Sequence, residues 1–207
     1  MKIKVCGMRD PENVREVSGL KPDFMGYIFY PRSPRYCTSL PEDTVRSLPG
    51  GIMPVAVFVN NDFDGIMNII KRYGFKGVQL HGEETPEMCR RLKDEGLFVL
   101  KAISVKDSES IGRACGYEGY VDLLVLDTAT DGKGGSGRKF DWSLLNDAVI
   151  PTDFLLSGGI GPDDADDITN LDIPHMVGVD LNSRFEISPG VKSKPLLSKF
   201  FKRLNDK

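Results

Sequence analysis

A chain of 207 residues with 40% hydrophobic and 28% charged side chains has apolar surface for one sizeable core, and too little length for two typical domains of about 150 residues each. A formal charge of -3 argues against nucleic acid or an anionic membrane as partner, since both demand a basic surface. No apolar run approaches the ~18 residues of a membrane span, so a cytoplasmic protein without a membrane partner is expected.

The cysteines Cys6, Cys37, Cys89 and Cys115 form no CxxC pair and are expected as thiols. The two histidines, His81 and His175, fit no metal-binding spacing, and no metal is expected.

In chain order, short apolar and β-branched runs recur at residues 3–6, 24–29, 53–59, 77–80, 98–103, 121–127, 153–158 and 175–180, which predicts eight strands. Between them stand helix signals. Asp10-Pro11 and Thr85-Pro86 each pair a capping side chain with proline at the first helical position. Ser39 with Glu42 suits a capping box, and Asp62 or Asp64 precedes Ile66, Met67, Ile69, Ile70 and Tyr73 at helical spacing, ending at Gly74. Gly96 and Gly116 read as stops for helices begun near residues 85 and 107. Pro162 opens a short helix, and Ser193-Lys194-Pro195 opens a last one bearing Leu196, Leu197, Phe200, Phe201 and Leu204. Eight alternating units favour a closed α/β barrel, a single (β/α)8 domain over 1–207, because an open sheet would leave two exposed edges.

In such a barrel the chemistry sits at the C-terminal strand ends. The turn Gly158-Gly159 follows the seventh strand, where backbone N–H groups often hold phosphate, and Asn182 and Ser183 follow the eighth. A tight turn with no ligand is the plainer reading of Gly-Gly alone. Cys6 ends the first strand and Asp127 the sixth, so closure brings a thiol and a carboxyl to one mouth as base and acid. Each by itself is more ordinarily a core cysteine or a loop anchor. A thiolate at Cys6 requires a cation nearby, for which Arg9 and Arg35 are candidates. Arg35, after Pro31 and Pro34, suits a substrate carboxylate; its plain alternative is a surface salt bridge. His81 could line the pocket but reads more plainly as a satisfied structural histidine, and Trp142 as packing under the glycine cluster 132–137. That cluster matches GxGxxG literally but lacks the helix of a dinucleotide site and reads as a loop at the site.

The ordered set KVCGMR, FYPRSPR, VAVFVN, VQLHGEE, LLVLDT, GKGGSGRKFDW, LLSGGI and DLNSRFE with SPGVK resembles the phosphoribosylanthranilate isomerase family across essentially the whole chain. The resemblance implies an Amadori rearrangement of N-(5-phosphoribosyl)anthranilate in tryptophan biosynthesis, with neither cofactor nor metal. It implies Asp127 as general acid, Cys6 as general base and Arg35 on the anthranilate carboxylate. Gly158, Gly159 and Ser183 would hold the phosphate, and Asp180 would contact sugar hydroxyls. The small phosphosugar–anthranilate substrate is the implied partner, and a monomer is compatible with it. The chain departs from the family's usual DVSSGVE at DLNSRFE, where Asn182 replaces a serine and Arg184 a glycine; the arginine strains the loop if that position needs a positive φ, and a phosphate contact and a solvent-facing side chain fit it equally. Ser193 likewise stands where an aspartate is common. Rival readings are another phosphosugar barrel enzyme and a non-catalytic phosphosugar-binding protein, the latter free to lose the acid or the base.

Overall fold

The computed structural model of the protein describes residues 1–38, 40–129 and 139–205. Eight parallel strands are present: β1 (Lys2–Val5), β2 (Phe24–Ile28), β3 (Met53–Phe58), β4 (Gly77–Leu80), β5 (Phe98–Val105), β6 (Leu123–Thr128), β7 (Phe154–Leu156) and β8 (Met176–Leu181). They pair in sequence order, and β8 returns to β1 with Lys4 opposite Asp180, so the sheet closes and leaves no edge. The expected α/β barrel is thus the observed fold, each predicted strand lying within two residues of its apolar run.

The helices are α1 (Pro11–Ser18), α2 (Glu42–Arg46), α3 (Phe63–Tyr73), α4 (Pro86–Asp94), α5 (Ser108–Gly112), α6 (Ala165–Thr169) and α7 (Lys194–Asn205). Three begin as their sequences predict. Asp10 accepts from the Asn13 N–H at 2.8 Å, Asp62 from Gly65 at 2.7 Å and Thr85 from Met88 at 3.4 Å. The capping box at α2 is not what starts that helix. Pro41 occupies its cap with an extended backbone and has no side-chain acceptor to offer, while Ser39 lies outside the described residues. Gly116 ends no helix either. It sits in a 3-10 turn, Arg113–Tyr117, that follows α5 directly. Helix α6 starts later than Pro162 because the Asp164 carboxylate first closes a turn on the Gly161 N–H at 2.6 Å.

Strict alternation fails between β6 and β7, where the described residues hold only a 3-10 turn, Trp142–Leu145. After β8 the chain adds an unpredicted antiparallel hairpin, β9 (Glu186–Ser188) and β10 (Val191–Lys192). Leu196, expected on the apolar side of α7, is 37% exposed.

Strand residues alternate between two cores. Phe24, Val55, Leu100, Leu123, Val125 and Leu155 pack inside the barrel, while Val5, Tyr27, Phe58, Phe154 and their neighbours pack against the helices. Residues in register across parallel strands share a face, so Lys4, opposite Phe24 and Asp180, points into the barrel. Gln79, opposite Val57 and Leu100, does the same. Among the described residues no helix is long and apolar enough to cross a membrane.

Candidate active site

Because all eight strands run the same way, their C-terminal ends share one mouth. A cleft of roughly 780 Å³, open top included, lies there. Its lining includes the residues that the sequence assigns to the chemistry, the substrate and the phosphate: Cys6, Arg35, Asp127, Gly158, Gly159, Asp180 and Ser183. His81, Gln79, Ser157 and Asn182 line it as well.

Cys6 leaves β1 with its N–H bonded to the Leu181 carbonyl at 2.9 Å, and its side chain is buried. Burial pushes the thiol above its ordinary pKa, while the Lys4 and Lys192 ammonium groups beside it pull the other way. These two lysines, rather than Arg9 or Arg35, are the cations at the thiol. Arg9 is exposed and donates to the Pro34 carbonyl at 3.0 Å, and Arg35 is committed to another partner. Lys4 Nζ donates to Asp180 Oδ1 at 3.0 Å, and the Ser157 hydroxyl approaches Asp180 Oδ2 at 3.4 Å. Burial opposes the charge on Lys4, yet Asp180 and the Cys6 sulfur outweigh it and hold its pKa above the usual value. Asp180 therefore reaches the cleft with both carboxylate oxygens already engaged by protein groups.

Arg35 is 7% exposed and grips Glu186 with both arms of one edge, Nε to Oε1 at 2.8 Å and Nη2 to Oε2 at 2.7 Å. The ion pair of its plain alternative is thus present, but buried rather than at the surface. Lys192 Nζ bonds the same Glu186 Oε1 at 2.7 Å and Asn182 Oδ1 at 2.7 Å. Burial brings Lys192 down to about 8 against the pull of Glu186. Burial raises Glu186, but Arg35 and Lys192 more than reverse this, leaving it below the usual carboxylate value.

Asp127, near the end of β6, accepts the Thr128 N–H on Oδ1 at 2.9 Å, and its Oδ2 lies 3.2 Å from His81 Nε2. His81 lines the cleft beside the candidate acid, the placement that its strand end allows. Its Nδ1 lies 3.0 Å from Gln79 Nε2.

The turn after β7 needs its glycines. Gly158 and Gly159 have φ of +87° and +67°, and a Cβ on Gly158 would overlap Thr128 Oγ1 and lie 2.6 Å from the Thr128 nitrogen. Ser183 opens a short 3-10 turn, Ser183–Phe185. Arg184 follows with no left-handed backbone, so the strain feared for arginine at this position does not arise. Its exposed side chain passes beside Gly161. The glycine cluster 132–137 lies outside the described residues; of its surroundings, Lys139 Nζ sits 5.3 Å over the Trp142 ring and pairs with Asp164. Among the described residues no group of three or more His, Cys, Asp or Glu side chains is arranged to hold a metal ion.

The family model for N-(5'phosphoribosyl)anthranilate (PRA) isomerase matches residues 3–203. A curated relative from Parabacteroides distasonis, named N-(5'-phosphoribosyl)anthranilate isomerase, is 42% identical over 99% of this chain and 93% of its own length. The chain belongs to the PRA isomerase family. Among solved structures, the phosphoribosyl anthranilate isomerase of Thermotoga maritima superposes with a TM-score of 0.86 at 32% identity, covering 100% of both chains. Another family member, solved in complex with reduced 1-(o-carboxyphenylamino)-1-deoxyribulose 5-phosphate, gives 0.81 at 28% identity, again over 100% of both chains.

Reading strand ends nominated the residues at the rim but missed the buried polar layer beneath them: Lys4, Gln79, Glu186 and Lys192. A signal existed for two of these. Lysine inside IKVC and glutamine inside GVQL interrupt apolar strands at inward positions, where a polar group must have a partner. Glu186 and Lys192 sit on the unpredicted hairpin.

Proposed function

We propose that this chain catalyses the cofactor-free rearrangement of N-(5-phosphoribosyl)anthranilate to 1-(2-carboxyphenylamino)-1-deoxyribulose 5-phosphate, with Asp127 as general acid and Cys6 as general base. The observation carrying this reading is that a thiol, a carboxyl, an arginine and a glycine turn from four distant segments all line one cleft in a chain of this family.

The phosphate sits on the N–H groups of Gly158 and Gly159 and the Ser183 hydroxyl. The anthranilate carboxylate meets Arg35 on the edge that Glu186 leaves open, and Asp180 contacts sugar hydroxyls while remaining paired with Lys4. Asp127 gives a proton to the furanose ring oxygen as the C1′–O bond breaks, and the nitrogen lone pair forms the Schiff base. The Cys6 thiolate then takes the C2′ proton. The C–H electrons become the C1′–C2′ double bond of an enolamine, and tautomerisation yields the ketose. Burial holds the thiol above its ordinary pKa, and the charges of Lys4 and Lys192 work against this in favour of the thiolate. The proposal takes residues 1–207 as one cytoplasmic domain acting as a monomer. In its favour, the large apolar side chains more than a third exposed, among the described residues, are only Met1, Val149, Ile187 and Leu196.

The test is turnover of phosphoribosylanthranilate generated in situ, followed by loss of anthranilate fluorescence and identification of the ketose. Wild-type protein is expected to outpace spontaneous hydrolysis. Cys6→Ser and Asp127→Asn are each expected to lower kcat by about 10²-fold or more while keeping product-analogue affinity. A variant with near-normal turnover removes that residue from its role, and no acceleration by the wild type removes the activity. A binding protein without catalysis would give affinity with no ketose.

A further inference from the structure

Asp127 does not stand alone. Its Oδ2 is 3.2 Å from His81 Nε2, and His81 Nδ1 is in turn 3.0 Å from the amide nitrogen of Gln79. All three side chains line the cleft, and the carboxyl and the imidazole are only 13% and 14% exposed, so water is a poor substitute for either contact. Gln79 is 1% exposed, and its Oε1 is buried without a hydrogen-bond partner. That orphan oxygen has a cost.

The cost has a reason in the chain of donors. An amide N–H directed at Nδ1 requires a lone pair there, so the neutral ring carries its proton on Nε2 and donates it to Asp127. Turning the amide over would give Oε1 a partner in Nδ1–H but orphan the amide nitrogen in its place; a neutral ring would then face the carboxylate with its Nε2 lone pair, and only a doubly protonated ring would serve both contacts.

We propose that His81 is the positioning residue for the acid: its Nε2–H fills Asp127 Oδ2 and so assigns the transferable proton to Oδ1, while Gln79 locks the tautomer that makes this possible. The inference rests on the reading of Asp127 as general acid. Oδ1 accepts the Thr128 N–H with one lone pair, leaving the other for the acidic proton. When that proton passes to the ring oxygen, the new carboxylate keeps two N–H donors, one on each oxygen. The imidazole neither gains nor loses a proton in the step. Its contribution is to stabilise the charge that the acid acquires, which draws on a hydrogen bond stronger to the ion than to the neutral carboxyl.

Two measurements test it. The chain has only two histidines, and His175 pairs with Asp153 at an exposed position, so ¹⁵N spectra of histidine-labelled protein are assigned with one His175→Gln control. The His81 ring is expected neutral at pH 7.5 with its proton on Nε2; a proton on Nδ1 alone, or on both nitrogens, overturns the proposal. In kinetics, His81→Leu is expected to lower kcat about tenfold or more, with KM and product-analogue affinity within about threefold. His81→Gln sets an amide N–H near the Nε2 position and is expected to recover most of that loss. Equal losses in both variants, a loss carried by KM, or an unaffected His81→Leu enzyme overturns it. Asp127→Asn separates the two levels: an inactive Asp127→Asn beside a fully active His81→Leu sinks only this inference, whereas an active Asp127→Asn sinks the acid assignment itself.

Discussion

Gly26 belongs to no motif, yet it sets the geometry of the candidate base. A Cβ at this position would lie 2.8 Å from Cys6 Sγ, 3.2 Å from the Cys6 Cα and 3.2 Å from Lys4 Nζ. The thiol and its neighbouring ammonium occupy the space that the missing side chain leaves. Gly26→Ala is therefore expected to push Sγ aside and lower kcat by about tenfold or more, since misplacing a reacting group by even about 1 Å is costly. Phosphate-dependent affinity should change little, because the Gly158 turn is untouched. Steady-state kinetics with an inhibitor titration would check this, and an unchanged kcat would show that the sulfur's position is not critical. Cys6 and Asp127 were legible in the sequence because a polar residue closing an apolar strand is conspicuous. Lys4 showed there only as a polar break in an apolar strand, since its meaning depends on Asp180, 176 positions away.

Local elements were legible wherever their signal was local. Asp10, Asp62 and Thr85 cap their helices through contacts only three residues long, and neighbouring sequence encodes such contacts directly. The local reading fails at α2, where Pro41 and not a side-chain acceptor stands at the cap, and it does not reach the loop after β4, which is shaped by partners from other units. In that loop Glu84 accepts the Asn60 N–H at 2.7 Å and the Gly82 N–H at 2.8 Å, and its Oε2 lies 3.4 Å from buried Lys101. The carboxylate thereby joins the ends of β3 and β4 beneath His81. Glu84→Gln keeps the shape but removes its charge, leaving a buried ammonium to three carbonyl oxygens, the Tyr117 ring and the charge of Glu83. The expected loss in a urea-denaturation experiment is about 2–3 kcal/mol. A loss below about 0.5 kcal/mol, the level of an ordinary surface change, would mean that the loop needs no charge there.

At the scale of the whole molecule, burial of unpaired thiols makes stability depend on alkaline pH. Burial pushes Cys37 and Cys89 up to about 11 from an ordinary value of 9.0. Folded thiols then stay protonated while unfolded ones ionise. The stability they lend is complete below the unfolded value and is lost as pH rises through the folded one, by roughly 2–3 kcal/mol per thiol at most. Lys192, lowered to about 8, works in the opposite sense between there and its ordinary 10.5, so the thiols are isolated by comparison with a Cys37→Ala/Cys89→Ala variant. The wild type is expected to lose stability more steeply than that variant between about pH 9 and 11, and parallel slopes would count against the two cysteines. The sequence by itself determined the barrel, its eight strands and the residues at their ends, because periodicity, caps and strand polarity are carried by neighbouring residues. Only the tertiary structure decided which cations flank Cys6, that Arg35 is held by Glu186, and that His81 links Gln79 to Asp127. Apart from the Gln79–His81 contact, which spans two residues, those pairings come from the fold of the barrel, which brings distant positions together and makes a buried charge find whichever partner is supplied.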